Sequence, residues 1–324
     1  MKALVTGGGG YLGKAIVRLL LSRGDQVVSL QRGDYPELTR MGVEIYTGDV
    51  ADPEVVIRAS RDCELVFHVA GKTGVWGEYR DYYHTNVKGT ESVIEACRIN
   101  GIKRLVYTST PSVVFDGNDE DGIDESMPYP AHFFNHYQST KAEAEQIVLA
   151  ANNDQLATIS LRPHLIWGPG DPHLIERIIA RARKGRLRLI NSNNLVDTTY
   201  IENAASAHLA AADSLGLNKK CAGRAYFISN GEPVIMNEII NRILIAHKMA
   251  PVSKMISPGM AYTAGVIYEV MYKLLGIKQE PLMTRFIARQ LSCAHWYNIS
   301  AARNDLGYEP GISVAEGLDR LNPK

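Results

Sequence analysis

Apolar positions in the first half of the chain fall into short runs separated by amphipathic stretches. Lys2–Thr6, Gln26–Gln31, Glu44–Thr47, Leu65–His68, Arg104–Thr108 and Thr158–Arg162 have the brevity and composition of strands. Between them, Ala15–Leu21 places Ile16, Val17, Leu19 and Leu20 on the apolar side of a helix. Pro53–Ser60 starts with a proline suited to a first turn, and a long helix is expected over about Arg80–Arg98. Tyr137–Ala151 is rich in Ala, Glu and Gln, all good helix formers. Alternation of strand and helix predicts an α/β fold whose parallel sheet is covered on both faces. Pro111–Asn135 is polar and contains prolines, and is expected to be a loop.

The pattern changes after Pro163. His164–Pro172 reads as a loop, His173–Lys184 as a basic helix and Asn191–Asn194 as a turn. Thr198–Ile201 leads into an alanine-rich helix reaching Leu215, followed by a strand at Ala225–Ser229 and a helix at Ile235–His247. The expected division is residues 1–163, completed by parts of 195–230, and a smaller C-terminal substrate lobe over most of 164–324.

Gly7-Gly-Gly-Gly-Tyr-Leu-Gly13 lies between the first strand and the first helix. Gly7 permits a sharp turn, Gly10 lets a pyrophosphate approach the backbone, and Gly13 lets the helix pack close to the strand. The free N–H groups and positive dipole end at the helix N-terminus suit phosphate oxygens. Strand, glycine turn and helix in this order open a dinucleotide-binding (Rossmann) unit, so the expected architecture is a doubly wound sheet with its ligand beyond the carboxyl ends of the strands.

Composition narrows the function. Lys+Arg and Asp+Glu stand at 35 each, which gives nucleic acid no basic surplus to bind. Cys63, Cys97, Cys221 and Cys293 are scattered, so neither a disulfide framework nor a metal site is expected, and a reducing cytosol is. Met1 runs directly into the first strand, so no signal peptide is expected.

Tyr137 and Lys141 are four apart at the start of a helix and share one face. A phenol near pKa ~10 works as an acid–base group at neutral pH only beside a cation, which Lys141 supplies. Ser109 and Thr110 end the fifth strand, at the carboxyl edge where the ligand must lie, and Asn86 sits in the preceding helix.

Taken together, Thr6–Gly13, Gly48-Asp49, Val69-Ala70-Gly71, Asn86–Thr90, Tyr107–Thr110, Tyr137–Lys141 and Arg162-Pro163 resemble an extended short-chain dehydrogenase/reductase. The resemblance implies that Tyr137 donates or accepts the proton, that Lys141 holds the nicotinamide ribose, and that Thr110, with Ser109 its neighbour, orients a carbonyl. It adds Asn86 to the catalytic set. It assigns the cofactor to Gly7, Gly10, Tyr11, Leu12, Gly13, Gln31, Arg32, Asp49, Val50, Val69, Ala70, Lys72, Tyr137, Lys141 and Pro163. Leu161–Asp171, Val196–Asn203 and Ala225–Asn230 are similar to the 3β-hydroxysteroid and sterol-4-carboxylate 3-dehydrogenase branch. Lys72–Gly77, Thr108–Ser112 and His295–Tyr297 narrow it to members serving bacterial long-chain olefin biosynthesis. That likeness implies reduction of a long-chain β-keto acid or other lipid-like ketone, work alongside the other olefin-pathway enzymes, and a homodimer. Its four-helix interface would pair Arg80–Arg98 and Tyr137–Ala151 with their copies, using Val93, Ile94, Ile147 and Val148 or turning them to the sheet.

Two further features bear on cofactor and substrate. NAD-preferring enzymes place an acid after the second strand; here Gln31-Arg32 stands there, with Asp34 nearby. Arg32 suits a 2′-phosphate, so NADP is expected, with NAD as the other option. Met260–Ile277 is almost wholly apolar, broken by Glu269 and Lys273. The expectation is a buried helix or the wall of an alkyl pocket, ahead of contact with a membrane surface. A nucleotide-sugar epimerase or dehydratase is the rival activity on this fold, with Arg177, Arg181 and Arg183 as its diphosphate ligands. A dinucleotide sensor would have no need of Tyr137 and Lys141.

Overall fold

The computed structural model describes residues 1–217 and 220–321. Seven parallel strands form the central sheet, in the spatial order Arg224–Ile228, Ala157–Pro163, Arg104–Thr108, Leu65–His68, Lys2–Thr6, Gln26–Gln31, Glu44–Thr47. Side chains alternate across each strand and so feed two cores. Ala3, Val5 and Phe67 pack with Ile16, Val17 and Leu20 on one face. Leu4, Val28, Val66 and Leu105 pack with Val56, Val93 and Val148 on the other. Each such buried Val or Leu contributes about 1.5–3 kcal/mol.

Strand order reverses beside Lys2–Thr6. The chain first runs outward to Glu44–Thr47, then returns so that Leu65–His68 pairs with the other edge of Lys2–Thr6. That reversal leaves a crevice at the carboxyl ends of the two strands, the usual ligand position in open parallel sheets. The first five strands have the expected bounds, and the sixth and the late one shift by a residue. The first helix starts at Tyr11 rather than Ala15, because the glycine turn leads into helical geometry without an intervening loop.

Two expectations are corrected, and one placement left open is decided. Pro111–Asn135 is not all loop: Pro111–Val113 is a 3-10 turn, and Glu120–Ile123 is a strand. That strand pairs in parallel with His295–Tyr297 and completes a second sheet with Leu195–Val196 and Val234–Ile235. Its partner lies some 175 residues away, beyond the reach of local pattern. Second, the expected Arg80–Arg98 helix runs from Tyr79 to Ile99 with a π-helical stretch at Tyr83–Lys88. Third, Val93, Ile94 and Val148 are buried within the chain against the sheet. Of the four apolar residues offered for a helix–helix interface, Ile147 alone is half-exposed.

The helix His136–Ala150 is fixed to the sheet by a buried ion pair. Arg162, on the Ala157–Pro163 strand, donates to Glu145 from Nη2 at 2.6 Å and from Nε at 3.1 Å. The hydroxyls of Tyr129 and Ser160 donate to the same carboxylate at 2.8 and 2.7 Å. Burial works against the Glu145 charge, but the Arg162 guanidinium holds its carboxyl below the usual range. Removing one partner of such a pair leaves an uncompensated buried charge. Arg162→Met is therefore expected to lower stability by about 3–5 kcal/mol in urea denaturation. The double variant Glu145→Leu/Arg162→Met should recover most of that loss. A single variant as stable as the parent would show that the pair does not anchor the helix.

Candidate active site

The phosphate end of the crevice is built by glycine. Gly7 turns at φ +70°, and its N–H donates to the Leu30 carbonyl at 2.7 Å. A Cβ on Gly13 would lie 2.2 Å from the Gly7 oxygen, and one on Gly8 would lie 2.1 Å from the Ser29 hydroxyl. Gly10 caps Tyr11–Ser22 with no side-chain hydrogen bond, which leaves the first-turn N–H groups for a ligand. A bulkier chain would fill this cradle, and the donors face where a pyrophosphate belongs, so the residues fit a dinucleotide.

The loops after the first and fourth strands are tied together. The Thr6 hydroxyl is 2.8 Å from His68 Nδ1 and accepts from the N–H groups of Val69 and Ala70, each at 3.2 Å. His68 Nε2 is 3.0 Å from Thr90, whose hydroxyl donates to the Asn86 carbonyl at 2.6 Å. Asp49 accepts from the Ala51 N–H at 3.0 Å and pairs with His84 at 3.1 Å. Val50 is buried under Gly89, where a Cβ would lie 2.7 Å from its methyl. Gln31 is buried, with its Nε2 unpaired, while Arg32 and Asp34 are exposed beyond it.

Asn86 sits in the π-helical stretch, and such stretches recur at functional sites. Its Oδ1 accepts from the Lys72 N–H at 2.7 Å. Its Nδ2 donates to the Lys72 carbonyl at 3.2 Å and to the Thr140 hydroxyl at 3.1 Å. These bonds clamp the loop after the fourth strand to the helix that carries Tyr137 and Lys141. Lys72 uses its ammonium on Asp81, at 3.6 Å, and on the face of Tyr82.

Tyr137 and Lys141 stand one turn apart on His136–Ala150, as their spacing requires. Burial pushes the Tyr137 phenol above its ordinary value, and the nearby Thr110 hydroxyl opposes that shift. Ser109 has the opposite orientation: it is buried with no hydrogen-bond partner for its hydroxyl, and its proximity helps keep Glu145 ionised. The strand end thus puts Thr110, not Ser109, beside the phenol. Lys141 is buried, donates to the Thr108 carbonyl at 2.6 Å and lies 4.1 Å from the centre of the Tyr107 ring. Burial pushes its pKa down to about 7, against the pull of Glu145.

Glu145 escaped the sequence reading. The signal was present: Tyr137, Lys141 and Glu145 fall at i, i+4 and i+8 and share one helical stripe. Also unforeseen is the buried cluster where the two sheets meet beyond Pro163. There Glu120 Oε2 is 3.0 Å from His295 Nδ1 and accepts from the Tyr297 hydroxyl at 2.8 Å, and His164 packs edge-on to both rings. Among the described residues no group of His, Cys, Asp and Glu could hold a metal ion.

The region beyond the loop holds the second surprise. Trp76 Nε1 donates to the Ile277 carbonyl at 3.1 Å, and its ring meets Tyr272 edge-on at 6.1 Å, with Tyr268 next in line. Met260–Ile277 does form a helix, Pro258–Leu274, but not the buried one expected. It buries Ala261, Gly265 and Glu269 and half-buries Tyr262, Tyr268 and Tyr272. Met271 is 39% exposed, so it lines no interior wall. Among the described residues no helix is long and apolar enough to cross a membrane.

A doubly wound sheet with a glycine cradle and a Thr–Tyr–Lys set at its carboxyl edge, Thr110 and Lys141 buried and Tyr137 half-buried, defines a nicotinamide-dependent short-chain oxidoreductase. The chain belongs to the 3-beta hydroxysteroid dehydrogenase/isomerase family, whose model matches residues 4–256. It is 52% identical over 325 residues to a 2-alkyl-3-oxoalkanoate reductase of Stenotrophomonas maltophilia, covering 99% of this chain and 98% of the relative. It is 49% identical over 328 residues to a protein of that name from Shewanella oneidensis, covering 98% and 85%. A solved structure of MoeE5 with UDP-glucose and NAD superposes with a TM-score of 0.76 at 23% identity, over 99% of this chain and 97% of that one. At that identity the likeness is one of fold. The protein is an NAD(P)-dependent oxidoreductase.

The depressed Lys141 pKa gives this site a measurable signature. Well below pH 7 Lys141 already carries its proton in the free protein, and as pH rises through about 7 it loses it. Ribose hydroxyls and phosphates favour the charged form. Cofactor binding is therefore expected to draw a proton from solution increasingly as pH climbs through about 7, read by calorimetry in buffers of different ionisation heat. Lys141→Met should abolish the uptake. Uptake that does not change with pH in the parent protein would refute the assignment.

Proposed function

We propose that the protein reduces a long-chain 2-alkyl-3-oxoalkanoate, a β-keto acid with two alkyl chains, to the 3-hydroxy acid, using NADPH. The observation that carries this reading is the Tyr137–Thr110 hydroxyl pair next to Lys141 at the carboxyl edge of the sheet. The full-length likeness to two 2-alkyl-3-oxoalkanoate reductases supports the substrate.

The chemistry follows from these groups. Thr110 and Tyr137 donate hydrogen bonds to the ketone oxygen and fix the carbonyl carbon. When bound, the reduced nicotinamide supplies a hydride to that carbon. As negative charge develops on oxygen, Tyr137 transfers its phenolic proton to it, which completes the alcohol. The Lys141 ammonium stabilises the phenolate left behind. Glu145 and Arg162 hold the helix that carries both groups. The aromatic line Trp76–Tyr272–Tyr268 borders the loop clamped by Asn86 and offers apolar surface to an alkyl chain. Two of the three cations named for the epimerase alternative are engaged elsewhere: Arg177 pairs with Glu280 at 2.9 Å, and Arg181 donates to the Leu282 carbonyl at 3.0 Å.

Two outcomes are expected. In a screen of NADPH oxidation against β-keto acids, sterol ketones and nucleotide sugars, only β-keto acids should turn over well. kcat/KM should rise with alkyl length, because each buried methylene is worth about 0.8 kcal/mol. Tyr137→Phe should lose at least about a hundredfold in kcat while still binding cofactor, and Tyr272→Asp should flatten the chain-length dependence while sparing short substrates. Turnover confined to sterols or nucleotide sugars would replace this reading. Second, Arg32→Ala should weaken NADPH about tenfold, the loss of one charge-assisted pair, and leave NADH unchanged. Equal losses for both cofactors in a fluorescence titration would remove Arg32 from 2′-phosphate recognition.

A further inference from the structure

The outer face of Pro258–Leu274 is the most apolar surface of the protein. Of the thirteen large hydrophobic side chains exposed among the described residues, nine lie between Met255 and Leu282. Met260 is 63% exposed, Ile267 59%, Val270 53%, Leu274 82% and Leu275 65%. Met260, Ile267 and Leu274 are seven apart, so they form a single stripe along one side of the helix. A contiguous patch of this kind marks a contact surface rather than scattered surface variation.

The charge around the patch identifies its partner. Residues 174–190 and 248–292 together hold twelve Lys and Arg against three Asp and Glu, a surplus of nine on a chain of zero net charge. The rest of the molecule therefore carries the opposite nine. Pairing of Leu189–Ile190 with Met255–Ile256 brings the exposed Arg183, Lys184, Arg186 and Arg188 beside the start of the helix. Lys273 and Lys278 flank its end. Glu269 and Glu280 are neutralised by Arg285 and Arg177, at 2.8 and 2.9 Å.

We propose that this face lies on a phospholipid bilayer rich in anionic headgroups, with the Met260–Ile267–Leu274 stripe inserted below the headgroups and the surrounding Lys and Arg paired to phosphates. A single convex helical stripe ringed by cations fits a fluid anionic surface, whereas a protein partner would need a matching apolar groove lined with acids. The same helix meets Trp76 through Tyr272 and Ile277. The loop leading to the catalytic cleft therefore stands at the lipid surface. This face keeps its apolar stripe and its ring of cations whatever ketone the site reduces.

The test is co-sedimentation of the purified full chain with vesicles of phosphatidylcholine, alone or mixed with phosphatidylglycerol. The parent protein is expected to pellet with the mixed vesicles, to be released by salt, and to bind phosphatidylcholine weakly. Ile267→Glu/Leu274→Glu should bind at least about tenfold less, with cofactor affinity unchanged as proof of fold. Lys273→Glu/Lys278→Glu should lose affinity for the mixed vesicles alone and supplies an independent reading. If the parent stays in the supernatant, or both variants pellet as the parent does, the proposal fails. It also fails if the parent ignores vesicles and light scattering shows an oligomer that Ile267→Glu/Leu274→Glu dissociates. A chain that binds vesicles but reduces no β-keto acid would refute the substrate and leave the surface standing.

Discussion

Everything the site does depends on keeping two charges under the sheet edge. Glu145 and Arg162 are both almost wholly withdrawn from water, and each is tolerable only because the other is there. Their pairing fixes the height and rotation of His136–Ala150 relative to the strand that ends in Pro163. Lys141, one turn above Glu145 on the same stripe, inherits that placement and feels the carboxylate below it. Tyr137, one turn higher again, reaches Thr110. A helix held only by its apolar face could rotate by a fraction of a turn; a helix pinned by a forked guanidinium cannot.

The two halves of the crevice are then joined by small polar groups rather than by bulk. Asn86 bonds both the loop at Lys72 and the hydroxyl of Thr140. Thr6, His68 and Thr90 tie that same helix back to the first strand. Each of these side chains is satisfied by backbone or hydroxyl partners. The Gln31 amide, at the end of the second strand, is left unpaired.

Much of this was readable beforehand because the relevant forces are local. Strand runs such as Leu65–His68 and Arg104–Thr108 are short, apolar and closed by turn residues, so their bounds came out as expected. The glycine loop and the Tyr137–Lys141 spacing also report geometry directly. What escaped was set at a distance. Nothing in Pro111–Asn135 says that Glu120–Ile123 will find His295–Tyr297. Hydropathy alone cannot say whether Met260–Ile277 faces inward or outward, since an apolar helix looks the same in either place. Thr110 and Ser109 were separable only once the strand's alternation had been fixed in space.

The strand Glu120–Ile123 also imposes an order on synthesis. It emerges with the first half of the sequence, yet among the described residues its lateral partner is His295–Tyr297, some 175 residues later. Until that later strand has left the ribosome, that edge stays open and Glu120 has neither His295 nor Tyr297 to meet its carboxylate. The seven-stranded sheet can be laid down from the amino terminus, but the second sheet closes only when His295–Tyr297 arrives, and a product cut short of that strand carries an unclosed seam.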